Sequence, residues 1–217
     1  MTIYICGDST AASYAPERAP ITGWGQLLES MLPGVRVVNK AMAGRSSKSY
    51  LAEGRLVDIE KEIQPGDLLL IQFTHNDTSS LVWRHTEPNT SFINTLSIFV
   101  DTARLYGAVP VLLTPIPGRS WKDGELQETH GTYPDAIRRL AMLKNVPLVE
   151  VYHQGTAYLR RIGEEDSRRL FMHVKGGEYP DYPNDHQDDV HTREAGAEVF
   201  ARIVAEGLKA QRLVKEA

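Results

Sequence analysis

Five short runs rich in Val, Ile and Leu constrain the fold of this chain more than any other sequence feature. They cover residues 3–6, 35–38, 68–73, 109–113 and 147–151. Within each run the apolar residues are nearly continuous rather than alternating, which is typical of strands in a parallel sheet buried on both faces. The sequence therefore predicts a sheet of five parallel strands covered by helices.

The segments between these runs carry apolar residues at helical spacing. The predicted helices are 25–32, 55–63, 92–106, 135–144 and 193–213, with Thr192 as N-cap of the last. Alternating strands and helices predict a three-layer α/β/α fold, and right-handed crossovers favour the flavodoxin-like strand order 2-1-3-4-5. Two long irregular loops are predicted at 115–132 and 173–190. We expect a single domain over 1–217.

Charge and hydropathy exclude several classes of protein. The net charge of -4 is unlike the basic surface that non-specific nucleic-acid binding requires. Membrane-spanning apolar runs and the basic flank of a secretory signal are both missing from the sequence, so we predict a cytoplasmic protein without a membrane partner. Cys6 is the single cysteine and cannot form an intramolecular disulfide.

Polar clusters follow the first three predicted strands. They read Gly-Asp-Ser-Thr at 7–10, Ala-Gly-Arg-Ser at 43–46 and Thr-His-Asn-Asp at 74–77. A fourth cluster, Asp-Asp-Val-His at 188–191, directly precedes the last helix. Because ligands of open α/β sheets bind beyond the carboxyl ends of the strands, we expect these clusters to meet at one edge.

The clusters supply the residue types needed for nucleophilic acyl transfer. A serine hydroxyl needs a base to take its proton, and that base needs an acceptor on its other ring nitrogen. Ser9, His191 and Asp188 meet this need, since a spacing of three allows one turn to join the last two. The N–H groups of Ser9 and Gly44, with the Asn76 amide, are candidate oxyanion donors.

Each cluster also has a structural interpretation. The Gly-Asp-Ser sequence also fits a capped turn between a strand and a helix, and Gly44 fits a plain turn. The Asn-Asp pair at 76–77 fits a plain loop, and His191 fits a helix start or a surface histidine. The Asp- and His-rich segment 181–191 raises the alternative of a metal-dependent hydrolase, although its spacing matches no common metal motif. A second alternative is a non-catalytic module that binds a nucleotide or sugar.

The four blocks together resemble those of the SGNH (GDSL) hydrolases, with Thr74 in place of a usual glycine. The longer stretches GDSTA, NKAMAGRSSKSYLAEGR, QFTHND, HGTYPDAIRRLA, GEYPDYP and DDVH resemble rhamnogalacturonan acetylesterases more closely. This resemblance implies Ser9 as nucleophile, His191 as base, Asp188 as its orienting acid, and an oxyanion hole of Ser9, Gly44 and Asn76. It implies deacetylation of pectic oligosaccharides. Because the triad already supplies nucleophile, base and orienting acid, no step requires a metal or cofactor, and we predict neither. A lipase, a thioesterase or a deacetylase of another sugar, such as acetylated xylan, stays the alternative.

A pectic substrate contains galacturonate, so the resemblance also implies an anionic ligand. Arg45, Lys48 and Arg119 lie in active-edge segments and are candidate partners for its carboxylates. Three residues of the predicted fourth loop region are candidates for contacts with sugar rings, and packing within the loop is the alternative for each of them. These residues are His130, Tyr133 and Trp121.

Overall fold

The central layer of the protein is the five-stranded parallel sheet that the apolar runs predict. A computed structural model describes residues 1–215. The strands are β1 Thr2–Gly7, β2 Arg36–Asn39, β3 Leu68–Gln72, β4 Val109–Leu113, β5 Trp121–Lys122, β6 Glu125–Leu126, β7 Leu148–Val149, β8 Phe171–Val174 and β9 His186–Thr192. The helices are α1 Leu28–Met31, α2 Ser47–Ala52, α3 Arg55–Glu60, α4 Ile93–Leu105, α5 Tyr133–Lys144, α6 Val151–Ser167 and α7 Glu194–Ala210. The main sheet has the order β2-β1-β3-β4-β7, which confirms the predicted flavodoxin-like order.

Successive residues of the central strands bury their side chains on opposite faces of the sheet. On one face Ile3 and Ile5 pack with Leu28 of α1, Leu159 of α6 and Phe200 of α7. The other face belongs to a second cluster that holds Tyr4, Cys6, Leu69, Ile71, Leu96, Phe99 and Ile137. Burying one such large apolar side chain stabilises the fold by ~1.5–3 kcal/mol. The two clusters account for the three layers.

Two helices were not predicted from the sequence. Helix α6 begins at Val151, which the apolar run assigns to the last strand, whereas β7 ends at Val149. A short apolar run fits a strand and a buried helix start equally well. The sequence pattern therefore assigns the first residue of α6 to the strand and predicts no helix after it. Helix α2 is short and is held by a capping box between Ser46 and Ser49.

The two segments predicted as irregular loops contain hairpins. Strands β5 and β6 pair within 115–132, and β8 pairs antiparallel with β9 across the second segment. The prediction of Thr192 as N-cap of α7 is wrong, because that residue ends β9 and its hydroxyl donates to Thr22 O at 2.6 Å. The N-cap is Arg193, whose side chain makes no capping bond. The last helix is therefore fixed at its start by tertiary contacts.

Candidate active site

Ser9 lies in a tight turn directly after β1. Asp8 Oδ1 accepts hydrogen bonds from the backbone N–H and the hydroxyl of Thr10, at 2.9 and 2.7 Å. The Tyr14 hydroxyl donates to Ser9 O at 2.8 Å. A Cβ at Gly7 would lie 2.8 Å from Gln72 O, so the strand end requires glycine to approach β3 this closely. These contacts fix the serine at the carboxyl edge of the sheet.

Asp188 and His191 come together through a bulge in β9. The pairing register with β8 shifts between Phe171 and Met172, which leaves residues 189–191 outside the ladder. In this bulge Asp188 Oδ1 accepts from the N–H groups of Val190 and His191, and its Oδ2 lies 2.7 Å from His191 Nδ1. Acid and imidazole are thus locked together by backbone and side chain, as their spacing suggests.

The structure brings the serine, the histidine and the aspartate into one chain of hydrogen bonds. His191 Nε2 lies 2.8 Å from Ser9 Oγ, although the two residues are 182 positions apart. Burial by itself lowers the pKa of His191, but the hydrogen bond and charge of Asp188, aided by Asp8, raise it above the ordinary 6.5. Burial also raises the pKa of Asp188, yet hydrogen bonds from His191 and Val190 bring it down to about 2. Asp188 is therefore ionised throughout the neutral range.

These shifts predict the pH dependence of ester hydrolysis. Only neutral His191 can take the Ser9 proton, so kcat/KM should be low in acid and rise with pH until the imidazole is deprotonated. Because Asp188 raises the pKa of His191, the midpoint of this rise should lie above 6.5. Steady-state kinetics from about pH 5 to 9 measure it.

The matched variant is Asp188→Asn, which removes the charge but leaves the burial that lowers the pKa of His191. Its remaining activity should have its midpoint below that of the wild type. A flat profile would contradict His191 as the base, whereas a wild-type midpoint at or below 6.5 would contradict the raised pKa.

Two backbone N–H groups are available to bind an oxyanion. Ser9 N and Gly44 N lie outside helices and strands, and neither donates a hydrogen bond to any acceptor in residues 1–215. Gly44 has φ +76°, a left-handed conformation that L side chains rarely adopt. The glycine thus allows its turn to present the N–H to the site.

Asn76 follows β3 and faces the same edge. Its Nδ2 donates to Arg45 O at 3.2 Å, and its Oδ1 accepts from Arg84 Nη1 at 3.3 Å. These two contacts set the orientation of the amide, and one Nδ2 hydrogen is left for a ligand. Thr74, at the usual glycine position, is buried and has no left-handed φ, so this backbone accommodates its Cβ.

The loops that carry these residues surround a crevice of about 1020 Å³ that is open to solvent. It is lined by Ser9, Tyr14, Arg18, Ile21, Ala43, Gly44, His75, Asn76, Thr78, Arg84, Gly118, Arg119, Ser120, Thr129, His130, Asp181, Tyr182, His186, Asp188, Asp189, Val190 and His191. Every residue of the predicted triad and oxyanion hole is in this set. Aliphatic side chains are few and scattered among polar ones.

Comparison with known proteins assigns the chain to a family. Residues 5–199 match the GDSL-like lipase/acylhydrolase family. The chain belongs to this family. The sequence is 39% identical over 209 residues to the rhamnogalacturonan acetylesterase RhgT of Bacillus subtilis (strain 168), covering 95% of this chain and 89% of that protein. The resemblance to SGNH (GDSL) hydrolases, and within them to rhamnogalacturonan acetylesterases, is thereby confirmed.

Solved structures of other proteins share the fold of this chain. The crystal structure of YxiM from Bacillus subtilis matches with a TM-score of 0.83 and 29% identity, over 97% of this chain and 56% of that longer one. Axe2, an acetylxylan esterase from Geobacillus stearothermophilus, matches with a TM-score of 0.66 and 15% identity, over 100% of this chain and 97% of that one. The second likeness concerns the fold alone.

In this GDSL-family chain, Arg45 and Arg119 do not point free charges into the crevice. Arg45 does not line it, and its guanidinium pairs with Glu53 at 3.0 Å. Arg119 lines it but is only 5% exposed. Its guanidinium donates to Ser167 Oγ, Asp189 Oδ1 and Glu164 O. Both arginines therefore support the loops, in place of the substrate contacts that their sequence position suggests.

Other predicted contacts with sugar also pack internally. His130 lines the crevice but is 3% exposed, and its two ring nitrogens meet Thr129 Oγ1 at 2.8 Å and His75 Nδ1 at 3.3 Å. Burial, with the neighbouring His75, holds the pKa of His130 well below its usual value, so the ring is neutral. Tyr133 donates to Asp77 O at 3.0 Å, while Lys48 donates to Val82 O and Trp121 packs on the core.

The Asp- and His-rich segment does not assemble a metal site in the described part of the chain. Among residues 1–215, no group of three or more His, Cys, Asp or Glu side chains could hold a metal ion. Asp189 instead accepts from Arg119 and contacts His173 Nε2 at 2.7 Å, which braces the segment next to Asp188.

Over the same residues, no helix is long and apolar enough to cross a bilayer. The cytoplasmic location stays a prediction.

Two residues of the site were missed by sequence reasoning. Tyr14, which anchors the Ser9 carbonyl, follows the Gly-Asp-Ser block by a few positions and has no motif of its own. Arg84 lines the crevice from the segment after β3 and contacts Asn76. A local signal for Arg84 was its position shortly after the Thr-His-Asn-Asp block, but its contact depends on how that segment folds back.

Proposed function

We propose that this protein removes O-acetyl groups from rhamnogalacturonan-type pectic oligosaccharides through an acyl-enzyme on Ser9. The observation that carries the chemistry is the alignment of Ser9 Oγ, His191 and Asp188 at the head of the crevice. The substrate class rests on the similarity to RhgT over nearly the whole chain. Both supports point to a carbohydrate esterase.

In the proposed reaction, Ser9 Oγ attacks the carbonyl carbon of the acetyl ester while His191 Nε2 takes the hydroxyl proton. The N–H groups of Ser9 and Gly44, with Asn76 Nδ2, stabilise the oxyanion of the tetrahedral intermediate. The intermediate collapses, and His191 returns the proton to the leaving sugar oxygen. Water then attacks the acetyl-enzyme with His191 as base, and acetate leaves.

Asp188 has an electrostatic part in these steps. Its carboxylate stays ionised because its pKa is about 2, so it stabilises the imidazolium that forms twice in each cycle. The hydrogen bond to Nδ1 also keeps Nε2 directed at Ser9. The proposal needs no metal or cofactor, because nucleophile, base and oxyanion donors come from the chain itself.

The lining of the crevice predicts a preference for short acyl groups. Its aliphatic side chains are Ile21, Ala43 and Val190, which are too few to cover a fatty acyl tail. A tail gains ~0.8 kcal/mol for each methylene that it buries, and this gain requires a continuous apolar groove. Acetyl esters should therefore be hydrolysed faster than octanoyl esters of the same alcohol. Faster turnover of the octanoyl ester would contradict a sugar acetylesterase.

The direct test is acetate release from defined oligosaccharides. Acetylated rhamnogalacturonan and acetylated xylan fragments of equal length should be compared at low and high salt. We expect faster release from the pectic fragments, with a difference that narrows as salt screens charge. Equal rates on both would leave a general carbohydrate acetylesterase and remove the pectic specificity.

A further inference from the structure

The cations and acids of the crevice can be matched in pairs. Three aspartates line it. Asp188 is held by His191, Asp189 by Arg119 and His173, and Asp181 by Arg18 at 3.5 Å. Arg84 is the remaining arginine of the lining, and within residues 1–215 it makes no salt bridge. The positive charge of the crevice that is not neutralised by the protein therefore lies on Arg84.

The position of Arg84 places this charge beside the oxyanion hole. Nη1 donates to Asn76 Oδ1 at 3.3 Å, and Nη2 lies 3.4 Å from where a Cβ on Gly44 would be. The guanidinium carbon lies 4.3 Å from the ring centroid of Trp83, a cation–π contact that holds the group over an aromatic face. An acetyl group bound at the proposed oxyanion donors, Gly44 N and Asn76 Nδ2, would therefore lie near this arginine.

Most hydrogen-bond donors of Arg84 have no protein acceptor. A guanidinium offers five N–H donors, and Asn76 Oδ1 takes one of them. Its Nε is buried without a hydrogen-bond partner in residues 1–215. Unpartnered donors on a half-buried, charged and planar group are costly, and a carboxylate that binds in bidentate fashion satisfies two of them.

We propose that Arg84 is the specificity-determining residue of the crevice and binds a carboxylate of the sugar that carries, or adjoins, the acetyl ester. The inference rests on the proposed function, because it takes the pectic oligosaccharide as substrate and assigns the recognition of its uronate. Arg45 and Arg119, the arginines favoured by sequence position, are both engaged with the protein. Arg84 thus replaces them as the carboxylate partner.

The test removes the charge first from the substrate carboxylate and then from Arg84. Acetylated galacturonate oligosaccharides are prepared in the free-acid form and as their carboxyl methyl esters, and kcat/KM is measured for both. Wild type should prefer the acid form by about 10- to 100-fold, the range expected of a charge-assisted hydrogen bond. Arg84→Gln should bring this ratio close to one, and Arg84→Lys, which keeps the charge without the planar fork, should retain part of it.

The ratio of kcat/KM for the acid form to kcat/KM for the methyl ester separates recognition of the carboxylate by Arg84 from positioning of Asn76 by Arg84. A change in kcat from disturbing Asn76 affects both substrate forms alike and cancels in the ratio. The matched control is Arg139→Gln, which removes an exposed arginine outside the crevice that contacts Asn89 and should keep the wild-type ratio. Thermal unfolding of each variant shows that it is folded.

Three results would overturn the inference. Equal kcat/KM for acid and methyl ester in wild type, or an unchanged ratio in Arg84→Gln, would show that Arg84 only positions Asn76, while acetate release would still support the proposed function. No acetate release from either oligosaccharide, with continued hydrolysis of 4-nitrophenyl acetate, would overturn the proposed function together with this inference.

Discussion

Replacing Ser9 with alanine should lower kcat for a simple acetate ester by about 10⁴- to 10⁶-fold, because the step that the site accelerates needs the attacking oxygen. The Ser9 side chain contacts His191 Nε2, whereas the turn around it is held by Tyr14 and by the Asp8 side chain. The fold should therefore survive the substitution. Hydrolysis of 4-nitrophenyl acetate at saturating substrate measures the loss.

Ser13→Ala is the control for this experiment. Ser13 lies on the same segment but is exposed, and it accepts a hydrogen bond from Asn39. This variant should keep wild-type kcat and should be labelled by a serine-directed phosphonate, as the wild type should. Ser9→Ala should not be labelled. Residual activity of even about a tenth of wild type would reject Ser9 as the nucleophile.

Asn76→Ala should lower kcat by about 10²- to 10³-fold with little change in KM, as is typical when one oxyanion donor is lost. The amide orientation set by Arg45 O and Arg84 leaves an Nδ2 hydrogen for the charge that develops in the transition state. The ground-state ester carries no such charge. The loss should therefore appear in kcat, which initial rates over a range of substrate concentrations measure.

Two further variants sharpen the Asn76 experiment. Asn76→Asp keeps an oxygen for Arg84 but replaces the donor with a carboxylate, and it should be at least as slow as the alanine variant. Asn89→Ala removes an exposed asparagine that contacts Arg139 and should behave as wild type. A defect of Asn76→Ala confined to KM would mean that Asn76 binds the substrate without stabilising the oxyanion.

The layers, the strand order and the edge at which the polar clusters meet could all be predicted from the residues alone. Continuous runs such as 68–73 encode a strand buried on both faces, and this information is local. The carboxyl ends of parallel strands then bring Ser9, Gly44 and Asn76 together without further detail. The spacing of three between Asp188 and His191 likewise describes one turn, which the bulge in β9 provides.

The elements that the sequence did not reveal depend on their neighbours. Helix α6 was hidden because Val151 continues an apolar run, and the length of β7 is decided by its pairing with β4. The sequence of β9 is polar and resembles that of a loop, because most residues of this strand are only partly buried. The β8–β9 hairpin therefore has no clear signal in the sequence. Thr192 is a plausible helix cap in the sequence, but in the fold its hydroxyl donates to Thr22 O and makes no capping bond.

Tertiary structure alone decided which arginine keeps a charge for the ligand. Arg119 donates to Ser167 and Asp189, which are 48 and 70 positions away, and Arg45 pairs with Glu53, the residue directly after α2. Arg84 folds back on Asn76 and finds no acid in residues 1–215. An arginine is satisfied by whichever acceptors the fold brings within hydrogen-bond distance, and distant acceptors leave no periodic pattern in the sequence. The sequence therefore predicted where the candidate site lies, and the tertiary contacts decided which charges are available to it.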